Sequence, residues 1–172
     1  MSSDLKFNQF QLSCQGVTLP FGLVVDEISV RATEPVVNLD NGKIAAIGAQ
    51  DAFAIVSEAS IASYLRPQLP SAVKEADVYI GDGLLKIAAK VVVVFPISVN
   101  AYCRLEIVDE SRLEIRLHDV EPGGPVRGML EKYIDDVNPI LQASDLPIAL
   151  RFTDVQLADG QVRLQAELLA SG

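Results

Sequence analysis

Tryptophan is absent from this sequence, histidine occurs once, and cysteine and methionine occur twice each. Each scarcity removes a class of function. The single histidine, His118, has no serine or cysteine beside it in a recognisable motif, so no nucleophile–base pair is proposed and no catalytic residue is assigned. Cys14 and Cys103 can make at most one bridge and form no CxxC pair, which argues against a disulfide framework or a zinc site. Basic residues are also in deficit, 14 against 23 acidic ones, for a net charge of −9. A nucleic-acid binder, which gains affinity by neutralising phosphates, is disfavoured on that balance, and electrostatic docking to anionic lipid headgroups is weakened. Long apolar runs are missing too. Ile87–Val99 is interrupted by Lys90 and Pro96 and is shorter than the roughly 20 residues that cross a bilayer as a helix. MSSDLKFNQF has no basic stretch followed by an apolar run, so no signal peptide is expected. The chain is read as cytoplasmic, with membrane association left open.

What is present is aliphatic. Hydrophobic residues make up 49% of the chain and aromatics only 6%, so the core must be built from Val, Ile, Leu and Ala. The length suits one domain over residues 1–172. Residues 5–14 alternate with a slip between Phe7 and Phe10. LVVDEISVRA alternates with a slip at Asp26-Glu27, and VVNLDNGKIAAIG looks like a hairpin with Asn41-Gly42 as a type I′ turn, followed by a polar stretch from Gly48 to Asp51. Ser57 is a candidate N-cap for a short helix over Glu58–Arg66, whose Ile61, Ala62, Leu65 and Leu69 share one face.

The stretch from Val73 to Val120 reads as a four-strand antiparallel meander. Asp82-Gly83 turns its first hairpin, and Leu85, Ile87, Ala89, Val91 and Val93 are expected on one face. Pro96 marks an edge or bend. Val99, Ala101, Cys103, Leu105 and Ile107 are expected inward on the next strand. Pro125 starts the strongest helix, in which Val126, Met129, Leu130, Tyr133, Ile134 and Val137 recur at spacings of three and four, and Pro139 ends or kinks it. A final hairpin over Ile148–Leu169 includes Phe152 on its apolar face and turns at Asp159-Gly160. Two helix-then-hairpin units ending in the same Asp-Gly turn suggest a pseudo-symmetric layout.

The polar motifs are better read as structure than as chemistry. Gly81-Asp82-Gly83 and Gly123-Gly124 lack the partners of a nucleotide-binding loop, and Asp135-Asp136, Asp40 and Asp109-Glu110 do not follow a calcium-loop spacing. No metal or cofactor is expected. The basic residues Lys86, Lys90, Arg104, Arg112 and Arg116 interleave with Glu106 and Glu114, which points to cross-strand pairing. Cys103 is read as a buried, inert residue.

The order of parts has a family resemblance. FGLVVDEISVRA, the helix opened by SEASIASYL, the VYIGDGLLKIAAKV hairpin, the GMLEKYIDDVNPIL helix and the closing LPIALRFTDVQLADGQVRLQAEL hairpin together resemble the LmeA-like phospholipid-binding family, over nearly the whole chain. That resemblance implies a tubular lipid-binding-like domain, in which a curved antiparallel sheet wraps helices around an apolar groove. It carries over no catalytic residue.

The expected fold class is therefore α+β, a curved antiparallel sheet around two amphipathic helices. The expected function is non-enzymatic binding of a phospholipid or other long apolar molecule between sheet and helices. The candidate lining is Ile61, Leu65, Leu69, Val91, Val93, Val99, Val126, Met129, Leu130, Tyr133, Ile134, Val137 and Phe152. The alternative is an interaction module with a filled core, forming a homodimer through a sheet edge near Pro96. Peripheral membrane contact is the further partner left open.

Overall fold

The breaks in alternation decide where the strands end. Strands β1 (Asp4–Lys6) and β2 (Gln9–Thr18) part at the first slip, and β3 (Val24–Thr33) follows the turn at Pro20-Phe21-Gly22. A hairpin of β4 (Pro35–Asn38) and β5 (Lys43–Ala46) precedes β6 (Gln50–Ser57), which runs directly into helix α1 (Glu58–Leu65). The meander consists of β7 (Val73–Gly81), β8 (Leu84–Val92), β9 (Pro96–Val108) and β10 (Arg112–Glu121). Helix α2 (Pro125–Val137), the short β11 (Leu141–Gln142), β12 (Leu150–Ala158) and β13 (Gln161–Leu168) complete the chain. The computed structural model describes residues 3–46, 50–146 and 148–169, so the start of the expected polar stretch at Gly48 lies outside the described residues, while its end, Gln50-Asp51, opens β6.

The fold is α+β, with curled antiparallel sheets packed on two helices. Hydrogen bonding divides the strands into a five-stranded sheet in the order β12-β13-β6-β3-β2, a second in the order β11-β10-β9-β8-β7, and a small sheet β1-β4-β5. The meander is thus a sheet in its own right rather than the middle of one continuous sheet. The two five-stranded sheets meet end to edge. The Phe152 N–H donates to the Glu110 carbonyl at 2.7 Å, and the Gly83 N–H to the Leu157 carbonyl at 3.1 Å, so β12 runs across the ends of the meander strands. The turns that cap the two Asp-Gly hairpins touch at this seam, where the Gly160 N–H donates to the Ile80 carbonyl at 3.0 Å. Both are tight two-residue turns: Asp82 and Gly83, and Asp159 and Gly160, all have positive φ, as the type I′ geometry requires.

Helix α1 is tied to the same seam. Ser57 caps it by accepting from the Ser60 N–H, and the Ser57 N–H itself donates to Asp26 Oδ2 at 2.7 Å. Asp26 sits at the slip in β3, so the irregularity that breaks the alternation aims a carboxylate at the start of a helix, where negative charge is favoured. From the first turn of α1, Glu58 reaches over to accept from the Ile80 N–H at 2.7 Å.

Two expectations are corrected. Asn41-Gly42 is not a two-residue turn, because Asn38 pairs with Lys43 and leaves a four-residue loop. The Asn38 side-chain oxygen holds that loop by accepting from the N–H groups of Asp40 and Asn41. Strand β8 stops at Val92, opposite Pro96, which has no N–H to continue the ladder. Val93, expected on the inner face, is instead in the exposed tip between β8 and β9.

Candidate functional site

An apolar space lies under the first five-stranded sheet. A cavity of about 110 Å³ is lined by Leu12, Cys14 and Val17 of β2, Val25, Ile28 and Val30 of β3, and Ala52 and Ala54 of β6. Leu150, Phe152, Leu164 and Ala166 come from the last hairpin, and Leu141, Leu146 and Ile148 from the segment that leads into it. Small side chains on neighbouring strands make the room: Ala52 pairs with Ala166, which in turn pairs with Phe152. The coordinated slips in β2 and β3 complete the lining. Cys14 and Val17 face the cavity across Gly16, whose φ of 64° permits the change of phase, and Val25 and Ile28 do so across Asp26.

A smaller cavity of about 30 Å³ sits at the seam between Ile61, Tyr64 and Leu65 of α1 and Leu85, Leu105, Leu113 and Ile115 of the meander. The two cavities share Ala54, Leu141 and Leu164 as lining, so they lie back to back along one apolar path. Among the described residues no charged side chain lines either of them. Apart from the Cys14 thiol and the Tyr64 side chain, the side chains that line them are hydrocarbon.

The expected lining residues are distributed unevenly. Phe152 lines the larger cavity, and Ile61 and Leu65 line the smaller. Val91, Val99, Val126, Leu130, Tyr133, Ile134 and Val137 are buried in the main core, Met129 and Leu69 pack against it half-buried, and none of these lines either cavity. Polar contacts hold α2 in its place. The Tyr133 hydroxyl donates to the Leu65 carbonyl at 3.1 Å, joining the two helices. Just past the end of α2, Asn138 makes both of its amide hydrogen bonds to the backbone of Ile115, at 2.7 and 2.8 Å. These bonds dock α2 on β10.

The lining from β2, β3 and β6 is not among the residues expected from the sequence. The signals in the sequence were the paired phase slips and the alanines at inward strand positions.

Burial shapes the few titratable groups inside. The Cys103 thiol is pushed up to about 12 by desolvation, which keeps it protonated and unreactive. Tyr133 is likewise raised to about 12, by burial first and by the neighbouring Tyr64 second. On the outer face of the meander, the nearly buried Glu114 is held between Arg116 at 2.6 Å and Arg112 at 3.6 Å, and Arg116 also meets Glu106 at 3.3 Å. His118 is exposed where the register of β10 shifts against β9. Among the described residues no group of three or more His, Cys, Asp or Glu side chains is gathered as a metal would need.

A family model described as LmeA-like phospholipid-binding matches residues 6–167. The chain belongs to this family. The matched span takes in both helices and both cavities. No match is found among curated proteins, and none among solved structures. Within the described residues of this family member, no helix is long and apolar enough to cross a membrane.

Proposed function

We propose that this protein is a non-enzymatic phospholipid-binding domain that takes one acyl chain into the cavity beneath the first sheet and leaves the headgroup outside. The observation that carries this reading is the wholly apolar, uncharged lining of the 110 Å³ space, in a member of a phospholipid-binding family. A dry apolar cavity of about 150 Å³ is known to accept benzene, so a space of this size takes a few methylenes as it stands. Each methylene moved from water gains about 0.8 kcal/mol. A longer stretch of chain would continue past Ala54, Leu141 and Leu164 into the smaller cavity, displacing the side chains between them. With no polar group inside, selection falls on the chain and not on the head.

Cys14 makes the test direct. It lines the cavity half-buried as a free thiol, whereas Cys103 is sealed in the core. Titration with a phosphatidylcholine of short acyl chain should slow labelling of Cys14 by a thiol reagent, and native mass spectrometry should show one lipid per chain. Labelling that is indifferent to lipid, together with mass spectra of the bare chain only, would sink the proposal.

A further inference from the structure

The hairpin tip that joins β8 to β9 stands at the end of the meander away from the seam. Val93, Val94 and Phe95 are 66%, 78% and 74% exposed, and Val92 and Ile97 beside them are exposed as well. Leaving large apolar side chains in water is unfavourable, and a contiguous group of them marks a contact surface. No residue from Val91 to Val99 carries a charge. At the base of the hairpin Lys90 is paired with Glu75 at 3.2 Å, so its rim has no excess of either sign.

The form of the tip selects its partner. A protein groove reads one face of a strand, but here three consecutive side chains are exposed, so both faces of the hairpin are apolar. Only surroundings that are apolar on every side cover such a wedge. A second copy would cover it poorly: a few valines and one phenylalanine fall well below the roughly 800 Å² per partner of a stable interface. The tip backbone limits depth, because unpaired N–H and C=O groups cannot enter hydrocarbon unsatisfied. β8 itself, nine residues long, holds the tip about 30 Å from the Asp82-Gly83 turn at the seam.

We propose that the Val92–Ile97 hairpin inserts into the interfacial layer of a phospholipid bilayer and anchors the domain there. The inference rests on the lipid-binding reading for its purpose, but the anchor and the cavity are separate parts and can fail separately. Because the tip is neutral and the chain carries a net charge of −9, binding is driven by apolar burial. It should be at least as strong on phosphatidylcholine vesicles as on vesicles containing anionic lipid, and should not weaken with salt.

The absence of tryptophan supplies the probe, since Phe95→Trp introduces the only one. With phosphatidylcholine vesicles its emission should shift to the blue and be quenched by lipids brominated near the headgroup end of the acyl chain. Val94→Asp should lower vesicle flotation of the full chain by about tenfold or more while leaving short-chain lipid uptake and the circular dichroism spectrum unchanged. Ala52→Leu, at the cavity, should do the reverse. Emission that ignores vesicles overturns the proposal, as does a blue shift that depends on protein concentration alone, which would assign the tip to a second copy. Flotation of Val94→Asp equal to the parent also overturns it. A parent chain that floats with vesicles but takes up no short-chain lipid, or Ala52→Leu that takes it up as the parent does, would count against the cavity and not against the anchor.

Discussion

Replacing Ala52 by leucine puts the cavity to a quantitative test. Ala52 is buried and lines the larger space opposite Ala166, so a longer side chain there points into room that already exists. At about 24 cal/mol per Å³, a void of about 110 Å³ corresponds to about 2.6 kcal/mol of stability forgone. Leucine adds about three methylenes and recovers part of that, against an overpacking penalty of about 1–3 kcal/mol. The net change should lie between a loss of about 0.5 and a gain of about 1.5 kcal/mol, which for a chain of this size is a shift in Tm of between about −2 and about +6 °C. The acyl chain loses the same space. Three methylenes at about 0.8 kcal/mol each amount to a roughly fiftyfold weaker affinity. Thermal melting without lipid, followed by titration against a short-chain phosphatidylcholine, reads both quantities on one sample. A variant that melts well below the parent and still binds with the parent's affinity would refute the reasoning, because it would mean that the space is filled in solution and the lipid sits elsewhere.

Leu130→Ala, on the stripe of α2 that faces the core, should cost about 2–5 kcal/mol in a denaturant melt and leave acyl affinity unchanged; a loss of affinity at unchanged stability would return the site to that helix. Ser57→Ala removes the α1 cap and should cost about 0.5–2 kcal/mol, measured in the same way. Gly160→Ala places a Cβ at a φ of 78°, about 3.6 Å from the Glu58 carboxylate, and should destabilise by about 1–2 kcal/mol through backbone strain. Alkaline stability should fall in two stages. Below pH 9 the Cys103 thiol is neutral in both states. Above it the unfolded chain ionises while the folded thiol resists to about 12, so stability drops by about 1.4 kcal/mol per pH unit, and Tyr133 adds a second decline between 10 and about 12. Urea midpoints for Cys103→Ala should lose the first decline and keep the second.

Much of this architecture can be read from residue patterns because local rules set it. The meander follows from period-two alternation between Asp82-Gly83 and Val120, and α2 from apolar spacings of three and four between Pro125 and Pro139. In each case the residues that decide the element are adjacent in sequence. The cavity is different. Its walls come from five strands and one connecting segment, and its volume depends on Ala52 facing Ala166, a pairing that only the sheet order establishes. The slip at Asp26-Glu27 is visible as a broken pattern, but that it frees a carboxylate to cap α1 depends on where Ser57 comes to rest. The four-residue loop at Asn41-Gly42 has a similar cause, since the register of Asn38 with Lys43 overrides the preference of the dipeptide. The alternation of β8, extended past Val92, points Val93 inward, but Pro96 ends the ladder there and leaves Val93 in the exposed tip.

The seam between the sheets has a consequence for motion. No continuous ladder crosses it; β12 is tied to the strand ends by separate backbone bonds such as Phe152 to Glu110 and Gly83 to Leu157. Such a junction can come apart bond by bond without melting either sheet, as ladders inside each sheet cannot. The smaller cavity lies at this junction, so the amides of Gly83, Phe152 and Gly160 are the natural clock for its opening. Their hydrogen-exchange rates, set against those of β9 and β13, would time the breathing that lets an acyl chain lengthen its hold.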